Sequence, residues 1–170
     1  VYVAWQDVRD GRAFDIYFNR SNNNGGTWRS SDVRVDTDPF PRDSISPTVM
    51  ALPGGNAAVV WRDFRLGLPQ AYGSRTTDAG AAFLTADAQI VGGRAGQSRS
   101  FDLAAANTGN TVFAVWADDR NGALDIYANY SLDGGALYQP ADVRLDTSPA
   151  GSDGSSPAVF AQALSNGRPV

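Results

Sequence analysis

Residues 5–28 read WQDVRDGRAFDIYFNRSNNNGGTW, and the same order of residue types returns twice further along the chain. Positions 61–83 read WRDFRLGLPQAYGSRTTDAGAAF, and positions 116–138 read WADDRNGALDIYANYSLDGGALY. The tyrosines of the three copies, Tyr17, Tyr72 and Tyr127, are 55 residues apart each time. A constant period of this length indicates stacked supersecondary units rather than one irregular domain.

Each unit carries short apolar runs rich in Val, Tyr, Phe and Trp and bounded by Gly, Pro, Asn and Asp, which is typical of strands. In the second unit the predicted strands A to D are SPTVMAL, AAVVWRD, QAYGSR and AQIV. Four short antiparallel strands per unit predict a β-propeller blade. The expected fold is therefore all-β, one propeller segment over residues 1–170 with three four-stranded blades at about 1–38, 45–92 and 100–147.

The two ends of the chain are complementary. Residues 155–170 match the start of an A strand, and residues 1–7 match a B strand with no A strand before it. Propellers have about four or more blades, and an open half exposes two blade faces and unpaired strand edges. We expect a homodimer in which two copies form a six-bladed ring, the partner's segment 155–170 completing the first blade. A section of one longer propeller chain is the alternative.

The composition excludes several chemistries. All 18 acidic residues are Asp and all 14 basic residues are Arg, while Glu, Lys, His and Cys are absent. A Ser-His-Asp triad, a thiol nucleophile, a zinc site with nitrogen or sulfur ligands, a disulfide and a lysine Schiff base are therefore ruled out. The net charge of −4 argues against nucleic acid as a partner, and no apolar run approaches membrane-spanning length.

The segments SNNNGGTW, TTDAGAAF and SLDGGALY resemble the Asp-box of sialidases and BNR-repeat propellers, S/T-x-D-x-G-x-T-W/F. Asn23 replaces the Asp of the first box, and Ala82 and Leu137 replace the Thr of the other two. We interpret the box as a turn between strands C and D, in which the polar side chain binds backbone N–H groups, Gly supplies positive φ and the aromatic packs back into its blade. The structural box residues are Ser21, Asn23, Gly25, Trp28, Thr76, Asp78, Gly80, Phe83, Ser131, Asp133, Gly135 and Tyr138.

The W-x-D-x-R-x-G stretches follow the B strands and so lie on the B–C loops, at the opposite end of the blade from the boxes. This end usually holds the ligand site in propellers. Two interpretations stay open: the Asp and Arg side chains pair and fix the blade spacing, or some Arg side chains bind a carboxylate or a sugar. The candidate ligand-binding residues are Asp7, Arg9, Asp63, Arg65, Asp118 and Arg120.

The resemblance to sialidases implies a test of these residues. Sialidases bind the substrate carboxylate with three Arg, use a Tyr activated by a Glu as nucleophile and use an Asp as acid/base. Arg9, Arg65 and Arg120 match the Arg cluster in number, but the Glu has no counterpart and the candidate tyrosines occupy one repeated position. No catalytic residue is assigned. The repeated Trp5, Trp61 and Trp116 are interpreted as inter-blade packing rather than as a sugar-stacking platform.

These observations predict a non-catalytic sialidase-like module for binding, with a glycan as the candidate ligand, or for scaffolding. The alternatives are an exo-sialidase-type glycoside hydrolase and an excised or engineered fragment without a ligand. No cofactor and no metal are assigned, although the loops at 36–46 and 146–156 carry enough oxygen ligands for calcium to be weighed against ordinary solvated turns. We expect a secreted or cell-surface location of bacterial type.

Overall fold

The computed structural model describes residues 1–91, 100–149 and 151–162, and these segments fold into three antiparallel sheets. The strands of the first sheet are β1 (Tyr2–Asp7), β2 (Asp15–Arg20) and β3 (Val33–Arg34). The second sheet contains β4 (Ser44–Ala51), β5 (Ala57–Asp63), β6 (Gln70–Arg75) and β7 (Ala88–Gln89). The third contains β8 (Ser100–Thr108), β9 (Thr111–Asp118), β10 (Asp125–Ser131) and β11 (Val143–Arg144). Within each sheet the strands are ordered as in the chain.

The prediction of an all-β fold is confirmed. The predicted strands AAVVWRD and QAYGSR coincide with β5 and β6, whereas β4 begins earlier than predicted and β7 is shorter. The ladder between β4 and β5 shifts register between Ile45 and Thr48, where Pro47 has no N–H to donate. A 3-10 turn, Pro53–Gly55, joins these two strands. In the described segments no helix has the length and apolar character needed to cross a bilayer.

The hydrophobic core lies in the two gaps between sheets. Val59 and Trp61 of β5 pack with Phe18 against the first sheet, and Val60 of the same strand packs with Trp116 against the third. Successive side chains of a strand point to opposite faces, so the alternation along β5 covers both faces of the second sheet. The first and third sheets each have one face in a gap and one face turned outward.

The segment that follows the third sheet makes the same backbone contacts as the segment that joins the first sheet to the second. Asp43 Oδ1 accepts the N–H of Phe14 at 3.0 Å, and Asp153 Oδ1 accepts the N–H of Leu124 at the same distance. A positive φ follows in both segments, 55° at Ser46 and 52° at Ser156. Residues 157–162 carry no assigned strand, and residues 163–170 lie outside the described segments. The completion of the first blade by segment 155–170 stays a prediction.

Candidate functional site

The box segments form tight turns stabilised by their own polar side chains. Asp78 Oδ1 accepts the N–H groups of Ala81 and Ala82, both at 2.8 Å. Asn23 Oδ1 accepts the N–H of Thr27 at 2.7 Å, so the amide of the first box takes the position of the carboxylate in the others. The glycines of the three boxes, Gly25, Gly80 and Gly135, all have positive φ.

The third box repeats this arrangement. Asp133 Oδ1 accepts the N–H groups of Ala136 and Leu137 at 3.0 Å each and the hydroxyl of Ser131 at 2.6 Å. Partial burial raises the pKa of Asp133, but these donors outweigh it and the net shift is downward. The N–H groups of Ala82 and Ala81 likewise lower the pKa of Asp78. Both carboxylates are therefore ionised and engaged in the turn, as a structural role requires. Ser21 and Thr76, which open the other two boxes, are buried.

The aromatics of the second and third boxes pack in the gaps between sheets, where they contact the preceding sheet as well as residues of their own blade. The ring of Phe83 meets Phe18 of the first sheet edge-on, with centroids 5.0 Å apart. Tyr138 is buried in the gap between the second and third sheets, beside Gly73 of β6. Trp28 of the first box is exposed on the outer face of the first sheet. The C–D turn projects its aromatic into the gap between sheets, so its burial depends on a neighbour.

Each candidate arginine folds back onto its own sheet. In the second sheet, Asp63 Oδ2 accepts the indole N–H of Trp61 at 3.0 Å, and the Asp63 carboxylate accepts Nε and Nη2 of Arg65 at 2.9 and 2.6 Å. Arg65 Nη2 also donates to Asp87, at the start of the D-strand segment, at 2.5 Å. The guanidinium carbon lies 4.2 Å from the ring centroid of Tyr72, as in a cation–π contact.

We call this group of Trp, Asp, Arg, Tyr and a second Asp the arginine cluster. The first and third sheets contain it as well, as Trp5, Asp7, Arg9, Tyr17 and Asp32, and as Trp116, Asp118, Arg120, Tyr127 and Asp142. The exposed fraction of the arginine side chain falls from 40% at Arg9 to 17% at Arg65 and 9% at Arg120. The cluster of the first sheet is on an outer face, and the other two are in the gaps between sheets.

The electrostatics of the arginine cluster favour a bracing role. Burial opposes the charge of Arg65 and Arg120, but hydrogen bonds to two Asp each outweigh it and raise the pKa of both guanidinium groups. Burial raises the pKa of Tyr72, which is the opposite of what a tyrosine nucleophile requires. Nε, Nη1 and Nη2 of Arg120 all donate to Asp carboxylates, so the fork that would hold a ligand carboxylate is engaged by the protein.

The structure therefore shows the six candidate residues paired within their own sheets, which is the geometry of the structural interpretation. Ligand binding by these residues stays a prediction. Trp61 and Trp116 are buried in the gaps between sheets, whereas Trp5 stacks on Tyr17 on the outer face of the first sheet. Nowhere in residues 1–91, 100–149 and 151–162 do three acidic side chains converge in a way that could hold a metal ion.

A second group of charges escaped the sequence analysis. Arg34 Nη2 donates to Asp15, Asp36 and the carbonyl oxygen of Asp38 at 2.8 to 3.0 Å. Arg144 makes the equivalent contacts in the third sheet, with Asp125, Asp146 and the carbonyl oxygen of Ser148. The second unit has Gln70, Gln89 and Val91 at these positions. The signal was present in the repeat, since DVRVD and DVRLD stand where the middle unit has DAQIV.

Comparison with known proteins gives a fold. No family model and no curated protein matches the chain. A mutant α-L-arabinofuranosidase of Fusarium graminearum, solved in complex with an iminosugar inhibitor, matches with a TM-score of 0.57 and 15% identity over 85% of this chain and 44% of that chain. A protein of unknown function from Dyadobacter fermentans matches with a TM-score of 0.55 and 14% identity, over 92% of this chain and 43% of that chain. The GH93 α-L-arabinofuranosidase of Fusarium graminearum, solved with arabinobiose, matches with a TM-score of 0.50 and 15% identity, over 78% of this chain and 41% of that chain.

At these identities the likeness shows the fold alone. It is that of a β-propeller, in agreement with three antiparallel sheets packed face to face. The chain spans less than half the length of each of these structures. Its three sheets thus correspond to part of a propeller.

Proposed function

We propose that the chain is a non-catalytic, sialidase-like propeller half that serves as a glycan-binding or scaffolding module and pairs with a second copy to form a six-bladed ring. The pairing rests on one observation. The outer faces of the first and third sheets are the repeat equivalents of two faces that are packed against each other within the chain, in the gap between the second and third sheets. A glycan as the ligand is supported separately, by the fold and by the iminosugar inhibitor and the arabinobiose in two of the matched structures.

The outer face of the first sheet has the chemistry of a packed face. Trp5, Tyr17 and Trp28 occupy the positions that Trp116, Tyr127 and Tyr138 occupy in the third sheet, where the latter three are buried against the second sheet. A pocket of about 260 Å³ lies between Val3, Trp5, Asn19 and Trp28. An exposed apolar patch of this composition is typical of an interaction surface.

The outer face of the third sheet has the complementary chemistry. Phe113, Val115 and Ala128 occupy the positions of Ala58, Val60 and Gly73, and the latter three lie in the gap against the third sheet. A groove of about 290 Å³ runs between Phe113, Val115, Ala128 and Leu145 and along residues 159–161. The two outer faces can therefore repeat the contact that the chain makes twice within itself.

The box aromatics indicate which residue of a second copy would enter the groove of the third sheet. A Cβ atom at Gly73 would lie 3.2 Å from Tyr138 Oη, so the absence of a side chain at this position makes room for the aromatic of the following sheet. Ala128 is the equivalent residue of the third sheet and lines the groove, and its Cβ requires an incoming aromatic to lie a few tenths of an ångström further out than Tyr138 does at Gly73. The equivalent aromatic is the Trp28 of a second copy. The second copy's Trp28 is thus the occupant that we propose for this groove.

The edge of the first sheet agrees with this arrangement. β5 and β9 each pair with an A strand, β4 and β8, and β1 is the corresponding strand of the first sheet. Among the described residues β1 pairs with β2 on one side only. The segment 155–170 of the second copy would pair with the other edge of β1, and an unpaired edge otherwise favours uncontrolled association.

The mass of the particle in solution tests the pairing. We expect native mass spectrometry to give about 36 kDa, twice the chain mass of 18.0 kDa. Trp28→Ala should lower the affinity between copies at least about tenfold, because buried aromatic anchors dominate interfaces. Leu66→Ala, an exposed residue of the central unit, is the matched control and should leave the mass unchanged. A stable 18.0 kDa particle at high concentration would contradict the pairing.

Two observations support a non-catalytic role for the propeller half. The arginines of the arginine clusters are held by Asp carboxylates, and the pKa values of Tyr17 and Tyr72 are raised. We expect no turnover of fluorogenic sialosides or arabinofuranosides. Hydrolysis that is abolished by Arg9→Ala would instead establish the glycoside hydrolase alternative. If the paired ring forms but binds no glycan on an array, the scaffolding role remains as the proposed function.

A further inference from the structure

The first unit departs from the other two at one place in its loops. The repeat places Gly93 and Ser148 where the first unit has Asp38, and Ala95 and Ala150 where it has Phe40. The first B–C loop also has one residue more than the third, and it contains Arg12. A bracing feature such as the arginine cluster recurs in every unit, whereas residues that one unit alone supplies are candidates for a ligand site.

These unit-specific residues surround a single pocket. Arg12, Asp38 and Phe40 line a polar cavity of about 150 Å³ together with Asp10, Asp15 and Arg34. The B–C loop of the first unit supplies one wall, and the loop at 36–46 supplies the other. The volume is small compared with pockets for drug-sized ligands, which measure about 300 to 1,000 Å³, and it suits one small ring or its edge.

Asp38 points to what the pocket binds. The residue is 3% exposed, and its Oδ1 accepts the N–H of Phe40 at 3.0 Å. Its Oδ2 is buried and accepts no hydrogen bond from any described residue. A buried carboxylate oxygen without a donor is destabilising, so a small shift of the loop that opened this oxygen to a ligand hydroxyl or N–H would satisfy it.

The other polar side chains of the pocket indicate a ligand that both donates and accepts hydrogen bonds. Asp10 and Asp15 offer acceptors, and Arg12 offers donors. Sugar hydroxyls match both kinds of group. A metal ion does not fit, because Arg12 and Arg34 repel it and the described residues hold no converging acidic triad. The largely exposed ring of Phe40 adds an apolar surface at the rim, on which the C–H face of a sugar can lie.

We infer that this pocket of the first sheet binds one neutral sugar residue, with Asp38 as hydrogen-bond acceptor and Phe40 as stacking surface. The inference rests on the proposed glycan-binding function and gives it a location. Carboxylates outnumber guanidinium groups at the pocket, so a neutral sugar is preferred over a sialic acid. The site is distinct from the arginine clusters.

The pocket stays accessible when a second copy covers the outer face of the first sheet. Arg34 lies beside it with 42% of its side chain exposed. Arg144 holds the same position in the third sheet, whose equivalent face is already packed against the second sheet, and it is still 37% exposed. Pairing of two copies and binding of a sugar are therefore compatible.

NMR titration of the chain with methyl α-L-arabinofuranoside, D-galactose and N-acetylneuraminic acid tests the inference. We expect a neutral sugar to bind in the millimolar range, with the amide signals of residues 10–12 and 38–40 moving most, and N-acetylneuraminic acid to bind more weakly. Asp38→Asn should lower the affinity for the neutral sugar about tenfold or more, because a hydrogen bond to a charged group is lost. Phe40→Ala should lower the affinity as well, and it removes little buried surface because Phe40 is 64% exposed.

Ser148→Ala, at the position equivalent to Asp38 in the third unit, is the matched control and should leave the affinity unchanged. Sugar binding that is unaffected by both Asp38→Asn and Phe40→Ala, or signals that move at Arg9, Arg65 and Arg120 instead, would overturn the location while the proposed function stands. Binding of none of the three sugars by the chain would overturn the inference and the glycan-binding function on which it rests, and the scaffolding role would remain.

Discussion

The arginine clusters of the first and third sheets contain the same residue types, and they differ in what covers them. Nε and Nη2 of Arg120 donate to separate oxygens of Asp118, whereas the same nitrogens of Arg9 both donate to Asp7 Oδ2. The indole N–H of Trp116 lies 3.0 Å from Asp118, and that of Trp5 lies 3.4 Å from Asp7. Arg120 is nearly buried, and Arg9 is the most exposed of the three cluster arginines. The bonds of the cluster thus belong to the blade, whereas the low dielectric that makes them strong is supplied by the adjacent sheet.

We expect the largest difference in stability between the two clusters when the tryptophan of each is replaced. Trp116 is fully buried, so Trp116→Ala should lower the free energy of unfolding by about 3 to 5 kcal/mol. Trp5→Ala should lower it by about 1 kcal/mol at concentrations where the chain is monomeric, because one side of this indole faces solvent. Urea unfolding followed by far-UV circular dichroism measures both. If Trp116→Ala does not fold, Trp116→Phe provides the milder change.

The tryptophan pair also probes the association of two copies. At concentrations where the chain is paired, we expect the effect of Trp5→Ala to grow toward that of Trp116→Ala, since a second copy would bury the outer face. If Trp5→Ala has the same small effect on the free energy of unfolding at all concentrations, a second copy does not cover the outer face of the first sheet.

The second test removes one charge of the pair. Asp118 is fully buried and accepts hydrogen bonds from Trp116 and from three nitrogens of Arg120. Asp118→Asn should lower the free energy of unfolding by about 2 to 3 kcal/mol, because a buried guanidinium loses one of its two carboxylates. Asp7→Asn should have a clearly smaller effect, since the exposed pair of the first sheet is solvated. Comparable losses in the two variants would show that coverage by a neighbouring sheet is not what strengthens the cluster.

The same contrast explains which parts of the structure were predictable. The period of the sequence was enough for the strands, because alternation and turn residues are local signals, and β5 and β6 coincide with the predicted segments. Alternation shows that both faces of a blade are apolar, but not which neighbour each face meets. The direction of Phe83 and Tyr138, which reach the preceding sheet, therefore could not be derived from the strand pattern.

The candidate site shows the same limit. The spacing of Asp63 and Arg65 predicted their pairing as one of two alternatives, but Asp87, which completes the pair, lies 22 residues beyond Arg65 in the chain. Residues that recur stand out in a repeat sequence, and Asp38 and Phe40 do not recur, so no repeated pattern marks them as site residues. In a repeat protein, the positions at which one unit departs from the others deserve the same scrutiny as the motif itself.

The smallest expected effect is a shift of one titration. The hydrogen bonds from Arg9 lower the pKa of Asp7 below its ordinary value despite some desolvation. A group whose pKa is lower in the folded state stabilises the fold above its ordinary pKa, and that contribution is lost as the pH falls toward the folded value. Arg9→Ala should therefore move the midpoint of Asp7 upward, toward 3.8, in a carbon-13 carboxyl titration. Arg144→Ala is the matched control: it should raise the pKa of Asp146 from about 2 and leave Asp7 unmoved. A midpoint of Asp7 that ignores Arg9→Ala would show that the ion pair of the uncovered cluster does not persist in solution.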